Sequence, residues 1–106
     1  MEERKIIEIQ QDVERFEQGQ YNVLMTVTDE DVILSKEYSY FRSNGIYPCY
    51  KSLVATLRNY ENVHVNFNTT NRYFSTEINN ISQVKSTLGT MLSEVLDKNN
   101  ITITSK

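Results

Sequence analysis

Residues 49–67, CYKSLVATLRNYENVHVNF, decide the fold class, because two periodicities meet inside them. Tyr50, Leu53, Leu57 and Tyr60 recur at i, i+3, i+7 and i+10, and Val54 widens the stripe, so one face of a short helix is apolar. Val63, Val65 and Phe67 then alternate with His64 and Asn66, the period of a strand with one buried face. Only Asn59 to Asn62 separates the two patterns, an ordinary helix-to-strand connection. A helix running directly into a half-buried strand predicts the middle of a small α/β sheet.

The flanks extend this unit in both directions. Upstream, Ile6, Ile9, Val13 and Phe16 repeat at 3-4-3 spacing and predict an N-terminal helix over residues 2–18, closed by a left-handed Gly19. Tyr21, Val23, Met25 and Val27 alternate as a strand. Asp29-Glu30-Asp31 turns the chain, and Val32 to Ser35 returns as a second strand. Tyr38 to Arg42 reads as a third strand, ended by Ser43-Asn44-Gly45, and Pro48 suits the first turn of the central helix. Downstream, Asn68-Thr69-Thr70-Asn71 supplies acceptors for a helix start. From Phe74, the residues Ile78, Ile81, Val84, Leu88, Met91, Leu92 and Val95 form a long helical stripe, which Asn79-Asn80 and Gly89 divide or kink. Ile101 to Thr104 is a short final strand. The expected architecture is a single α/β domain over residues 1–106, in the order α-β-β-β-α-β-α-β, with a mixed sheet of about five strands and helices packed on it. The expected core is Val23, Met25, Val27, Leu53, Leu57, Val63, Val65, Phe67, Ile78, Ile81, Leu88 and Leu92.

Composition narrows the functional classes. At 106 residues, 39% hydrophobic and 24% charged, the chain can bury one core and is too apolar for disorder. No apolar run approaches the ~20 residues of a membrane span, and the acidic N-terminus has no signal-peptide h-region, so a cytoplasmic location is the expectation. The single cysteine, Cys49, excludes an internal disulfide. One cysteine and one histidine, His64, cannot build a structural zinc site, so no metal and no cofactor are expected. A Cys49–His64 nucleophile pair has nothing in the sequence to orient it. Gly19, Gly45 and Gly89 are scattered and form no phosphate loop. The three Asn-x-Ser/Thr triplets, at Asn68, Asn80 and Asn100, fit chance in an Asn-rich chain. One alanine, one proline, no tryptophan and frequent Asn, Ile, Tyr and Lys fit an AT-rich genome, such as a low-GC bacterium or its phage.

The net charge of −3 is uneven. Residues 1–31 carry nine acids against three bases, whereas residues 32–76 carry five bases, Lys36, Arg42, Lys51, Arg58 and Arg72, against Glu37 and Glu61. Tyr38, Tyr40, Phe41, Tyr47 and Tyr50 cluster in sequence within this basic segment. Three roles suit them: core packing in a domain without tryptophan, a protein interface, or base stacking beside phosphate-binding cations. The protein-interface candidates are Tyr38, Tyr40, Phe41, Arg42, Tyr47 and Tyr50. The nucleic-acid alternative uses Lys36, Arg42, Lys51 and Arg58.

With the N-terminal helix set aside, three meandering strands followed by helix, strand, helix and strand over roughly residues 21–104 resemble ribonuclease H-like domains. Residues 53–80, LVATLRNYENVHVNFNTTNRYFSTEINN, resemble that family's helix-strand-helix segment, whose strand ends in Asp-Ser-x-Tyr. The resemblance implies two Mg²⁺ ions held by acids of the first strand, first helix and central strand, because paired metals need several oxygen ligands close together. This chain departs at each position. Aligning Tyr73 puts Thr70 at the central-strand acid, and aligning Leu53 puts Ser52 at the helix acid. The strand from Tyr21 to Thr28 has no internal acid, with Asp29 only at its end. The sequence-level expectation is a non-catalytic member. It would be a small protein-binding factor, fitting a phage or mobile-element accessory or inhibitor protein. A nucleic-acid-binding module is one alternative; a structural homo-oligomer, or homodimer, joined through the N-terminal helix is the other.

Overall fold

The structure, a computed structural model, describes residues 4–41 and 44–106. Among the described residues a five-stranded mixed sheet is formed by β1 (Lys5–Arg15), β2 (Tyr21–Asp29), β3 (Val32–Tyr40), β4 (Val63–Thr69) and β5 (Thr102–Ser105). Its spatial order is β3-β2-β1-β4-β5. Helices α1 (Tyr47–Leu57), α2 (Arg72–Asn79) and α3 (Thr87–Lys98) complete the α/β domain. The hairpin β1-β2-β3 is antiparallel, and β4 and β5 continue it in parallel.

The N-terminal segment is the main correction to the sequence reading. Residues 5–15 are not a helix; they form the central strand, antiparallel to β2 on one side and parallel to β4 on the other. The 3-4-3 spacing of Ile6, Ile9, Val13 and Phe16 was accidental: Ile6 is 59% exposed, while Ile7 and Ile9 are buried at period two. The third inward position is Gln11, also fully buried, and a polar residue there hides the alternation. Gly19 does take positive φ, at 73°, but in a turn joining two strands. A homo-oligomer joined through an N-terminal helix is overturned with that helix. Val32–Ser35 and Tyr38–Tyr40 likewise merge into the single strand β3, so the order among the described residues is β-β-β-α-β-α-α-β.

The remaining elements follow the sequence closely. Pro48 lies in the first turn of α1. The Asn71 side chain accepts from Phe74 N at 3.0 Å to start α2, and Ser86 accepts from Gly89 N at 3.1 Å to start α3, each an N-cap satisfying an otherwise orphan donor. The long stripe is therefore two helices, separated by a 3₁₀ turn at Ile81–Gln83. Asn62 and Asn100 both adopt left-handed φ, 58° and 53°, and the Asn100 Nδ2 donates to Asn62 Oδ1 at 2.8 Å, tying together the loops that enter β4 and β5.

The core lies between the helices and one sheet face. Ten of the twelve expected core residues are buried; Ile81 and Leu88 are half-buried at its border. Ile7, Ile9, Tyr50, Phe74, Leu96 and Ile101 join it. A Cβ at Gly89 would overlap the Val84 side chain and lie 3.2 Å from its carbonyl oxygen. Gly89→Ala is therefore expected to lose about 1–3 kcal/mol by overpacking, despite the better helix propensity of alanine. Urea unfolding checks this, and adding Val84→Ala should recover part of the loss.

Candidate functional site

Two places on the molecule collect polar or aromatic chemistry. The first is where β1, β4 and α1 meet. The parallel β1–β4 register puts Gln11 beside Thr69, and α1 turns Ser52 toward both. Gln11 Nε2 donates to Ser52 Oγ at 2.9 Å and to the Cys49 carbonyl at 3.0 Å, and Gln11 Oε1 accepts from Thr69 Oγ1 at 2.7 Å. Ser52 Oγ donates on to the Pro48 carbonyl at 2.7 Å. Gln11 thus uses both donors and its acceptor, as a buried amide must to offset desolvation. Thr70, the position aligned with the central-strand acid, lies one residue past β4, where its Oγ1 accepts from Val13 N at 2.9 Å.

This cluster does not fit divalent metal ions. Its members are one amide and two hydroxyls, all neutral and spent on one another, whereas Mg²⁺ sites recruit carboxylates. Among the described residues no three of His, Cys, Asp and Glu stand close enough to hold a metal. Asp12 follows Gln11 but by strand alternation points to the opposite face. Asp29 is remote: it follows Thr28, the partner of Glu8, and its carboxylate pairs with Lys5 at 2.7 Å near the other end of β1. That contact raises the Lys5 ammonium above its ordinary pKa. The residue facing Ser52 and Thr69 is therefore Gln11, not a residue of the strand that begins at Tyr21. The only sequence signal for it was a glutamine in an Ile7-Ile9-Gln11-Val13 alternation.

The Cys49–His64 pair does not form. Cys49 is buried against the core, its Sγ donating to the Gly45 carbonyl at 3.3 Å, and burial pushes the thiol up to about 12. It is therefore no thiolate nucleophile at neutral pH. His64 lies across the sheet on the uncovered face, its Nδ1 2.7 Å from Thr102 Oγ1 and its Nε2 3.3 Å from Thr104 Oγ1.

The second place is the seam between β3 and α1. Tyr38 and Tyr40 stack with ring centroids 6.5 Å apart, and Tyr47 of α1 meets Tyr40 edge-on at 6.1 Å. The Lys36 ammonium lies over Tyr38 at 5.2 Å and that of Lys51 over Tyr47 at 5.9 Å, within cation–π range. Burial, with Tyr38 and Tyr47 adding to it, pushes the Tyr40 hydroxyl up to about 12, so it stays neutral. Phe41 follows at the strand end, 68% exposed. A groove of about 250 Å³ continues the seam along α1, floored by Met25, Val27 and Leu34.

Three sequence candidates fall outside this seam. Tyr50 is 1% exposed, packs edge-on against Phe74 at 4.7 Å and donates to Glu77 Oε1 at 2.6 Å; it is a core residue, not an interface residue. Arg58 caps the far end of α1 and lines a cleft with Glu94 and Lys98 of α3 and the following Asn99, so it does not join Lys36 and Lys51. Arg42 lies outside the described residues.

This sheet order, hairpin and helix placement define a ribonuclease H-like fold. The chain is similar to LC11 ribonuclease H1 solved in complex with an RNA/DNA hybrid, with TM-score 0.73 at 13% identity over 94% of this chain and 84% of that one. It is similar to ribonuclease H1 of the halophilic archaeon Halobacterium salinarum, with TM-score 0.71 at 12% identity over 95% and 85%. A second structure of the LC11 enzyme, isolated from compost by a metagenomic approach, gives 0.73 at 14% over 96% and 84%. No protein-family model and no curated protein sequence matches. No helix among the described residues is long and apolar enough to cross a membrane.

Proposed function

We propose that this chain is a non-catalytic ribonuclease H-like domain that binds a partner protein through the seam of Tyr38, Tyr40, Phe41 and Tyr47. The observation that carries the reading is the half-exposed tyrosine ladder held by Lys36 and Lys51, on a molecule whose β1–β4–α1 junction is a closed neutral network. Rigid tyrosines lose little conformational freedom on binding and are enriched among interface anchors. The uncovered sheet face carries Glu8, Asp12, Glu14 and Glu37, which oppose long-range attraction to phosphate. The biased composition supports an accessory factor of a phage or mobile element in a low-GC bacterium.

The test is affinity purification from a low-GC host lysate, with and without nuclease treatment, followed by titration of the captured partner. Tyr40→Ala or Tyr47→Ala is expected to weaken binding by about 1–3 kcal/mol, with only modest dependence on salt. A nucleic-acid reading has one observation in its favour: two ammonium groups flank stacked rings on a fold whose relative LC11 ribonuclease H1 was solved with a hybrid. Affinity for single-stranded DNA or RNA that falls steeply with salt, and is lost in a folded Lys36→Ala, Lys51→Ala variant, would replace the protein-binding reading with that one.

A further inference from the structure

We propose that the protein forms a two-fold homodimer by antiparallel pairing of β3 with β3 of a second copy, joining two five-stranded sheets into one of ten strands. This goes beyond the partner-binding reading and does not depend on it. β3 is nine residues long and ends the sheet, and among the described residues no helix pairs with its open edge and no proline interrupts it. Edge strands of this length are usually blunted by such devices or by outward charge. Here Lys36 folds back over Tyr38, and Val32, Ile33 and Leu34 are 55%, 65% and 58% exposed. These three alternate between the sheet faces, so no single docked helix would cover them. Continuation of the sheet gives every one of them a cross-strand neighbour.

The backbone is set for such pairing. The two-residue turn Glu30-Asp31 closes on the Asp29–Val32 pair, so the even-numbered residues of β3 direct their N–H and C=O groups toward β2. Ile33, Ser35, Glu37 and Ser39 direct theirs to the open edge. A second copy is favoured as the occupant because it offers an identical open edge of the same length, whose outward N–H and C=O groups meet those of the first strand about a two-fold axis.

Charge selects the register. A two-fold axis at Lys36 would oppose the two Lys36 ammoniums, one at Glu37 would oppose two carboxylates, and one at Leu34 would set Asp31 opposite Glu37 of the other copy. An axis at Ser35 gives the longest overlap without a directly opposed like-charge pair. It places Ser35 opposite Ser35, Ile33 opposite Glu37, Leu34 opposite Lys36 and Val32 opposite Tyr38, so each exposed aliphatic side chain lies against the methylene stem of Glu37 or Lys36 or the ring of Tyr38 of the other copy. The leaning of Lys36 toward Tyr38 carries each ammonium away from the axis.

Sedimentation equilibrium of the full chain is expected to show a reversible dimer. Ser35→Pro removes an edge-facing N–H without touching the β2 ladder, and Ile33→Glu sets a carboxylate directly opposite Glu37 of the other copy; both should give monomers with unchanged far-UV circular dichroism. Should the proline variant not fold, the glutamate variant decides. Ser35→Cys should form an intermolecular disulfide across the axis on mild oxidation, since directly opposed, hydrogen-bonded residues lie ~5.5 Å apart at Cα. A wild-type monomer at every concentration overturns the proposal, as does a dimer that survives Ile33→Glu. A dimer that forms no Ser35→Cys cross-link overturns the register and the pairing argued from it.

Discussion

Replacing Gln11 with aspartate is expected to destabilise the protein by about 3–5 kcal/mol at neutral pH, the scale of a buried charge with no countercharge. The carboxylate would enter a site that is fully buried, where the Gln11 amide now donates to the Cys49 carbonyl and Ser52 Oγ. Thr69 Oγ1 could still donate to it, but the carbonyl would face an acceptor instead of a donor. Burial raises the folded-state pKa of such a group above the ~3.9 of a free aspartate. Its folded form then holds a proton that the unfolded chain releases, so the deficit is smallest in acid and grows as pH rises above about 4. Gln11→Leu conserves volume and introduces no charge; it leaves Thr69 without its acceptor and should cost about 1–3 kcal/mol at any pH. Urea unfolding of both variants at acid and neutral pH measures the contrast. A Gln11→Asp protein as stable as wild type at neutral pH would mean that the site tolerates a carboxylate.

Phe74→Ala is expected to cost about 3–5 kcal/mol, the usual range for an aromatic ring removed from a core. Phe74 is fully buried and meets Tyr50 at 4.7 Å and Phe67 at 5.7 Å, both edge-on, so it links α2 to α1 and β4 at once. Such ring pairs add stability beyond area burial. α2 has eight residues and only Phe74 and Ile78 buried, so these two side chains carry its apolar contact with the sheet, beside hydrogen bonds from Ser75 and Asn79 to β5. Thermal unfolding followed by circular dichroism tests this. A loss under about 1 kcal/mol would show the ring site to be loosely packed.

Legibility in the sequence followed the physical strength of each local signal. The α1–β4 unit was readable because each element keeps its own period, helical and then alternating, almost without interruption. Asn71 and Ser86 cap helices in agreement with their side-chain chemistry. β1 was misread because its inward face reads Ile7, Ile9, Gln11, and a buried polar residue imitates an exposed one in any hydropathy pattern. What makes Gln11 acceptable is three partners 38 to 58 positions away, Cys49, Ser52 and Thr69, which no local window contains. With β1 hidden in this way, the first strand legible in the sequence is the one that begins at Tyr21 and ends at Asp29, whose partner is Lys5.

The tyrosine segment was legible by half. Strand alternation puts Tyr38 and Tyr40 on one face, and helix period brings Lys51 one turn beyond Tyr47. That Tyr50 points inward follows from its place in the apolar stripe with Leu53 and Leu57, a stronger guide than its nearness in sequence to Tyr47.

The proposal that this ribonuclease H-like domain is non-catalytic, resting on the neutral Gln11–Ser52–Thr69 network, is tested most directly by incubating the purified protein with RNA/DNA hybrid in Mg²⁺ and in Mn²⁺, beside a Ser52→Ala variant and a mock purification from the same host. Intact hybrid with both metals is expected, or a trace of cleavage that the mock purification reproduces. Metal-dependent cleavage by the wild-type chain that disappears in a folded Ser52→Ala protein would contradict it.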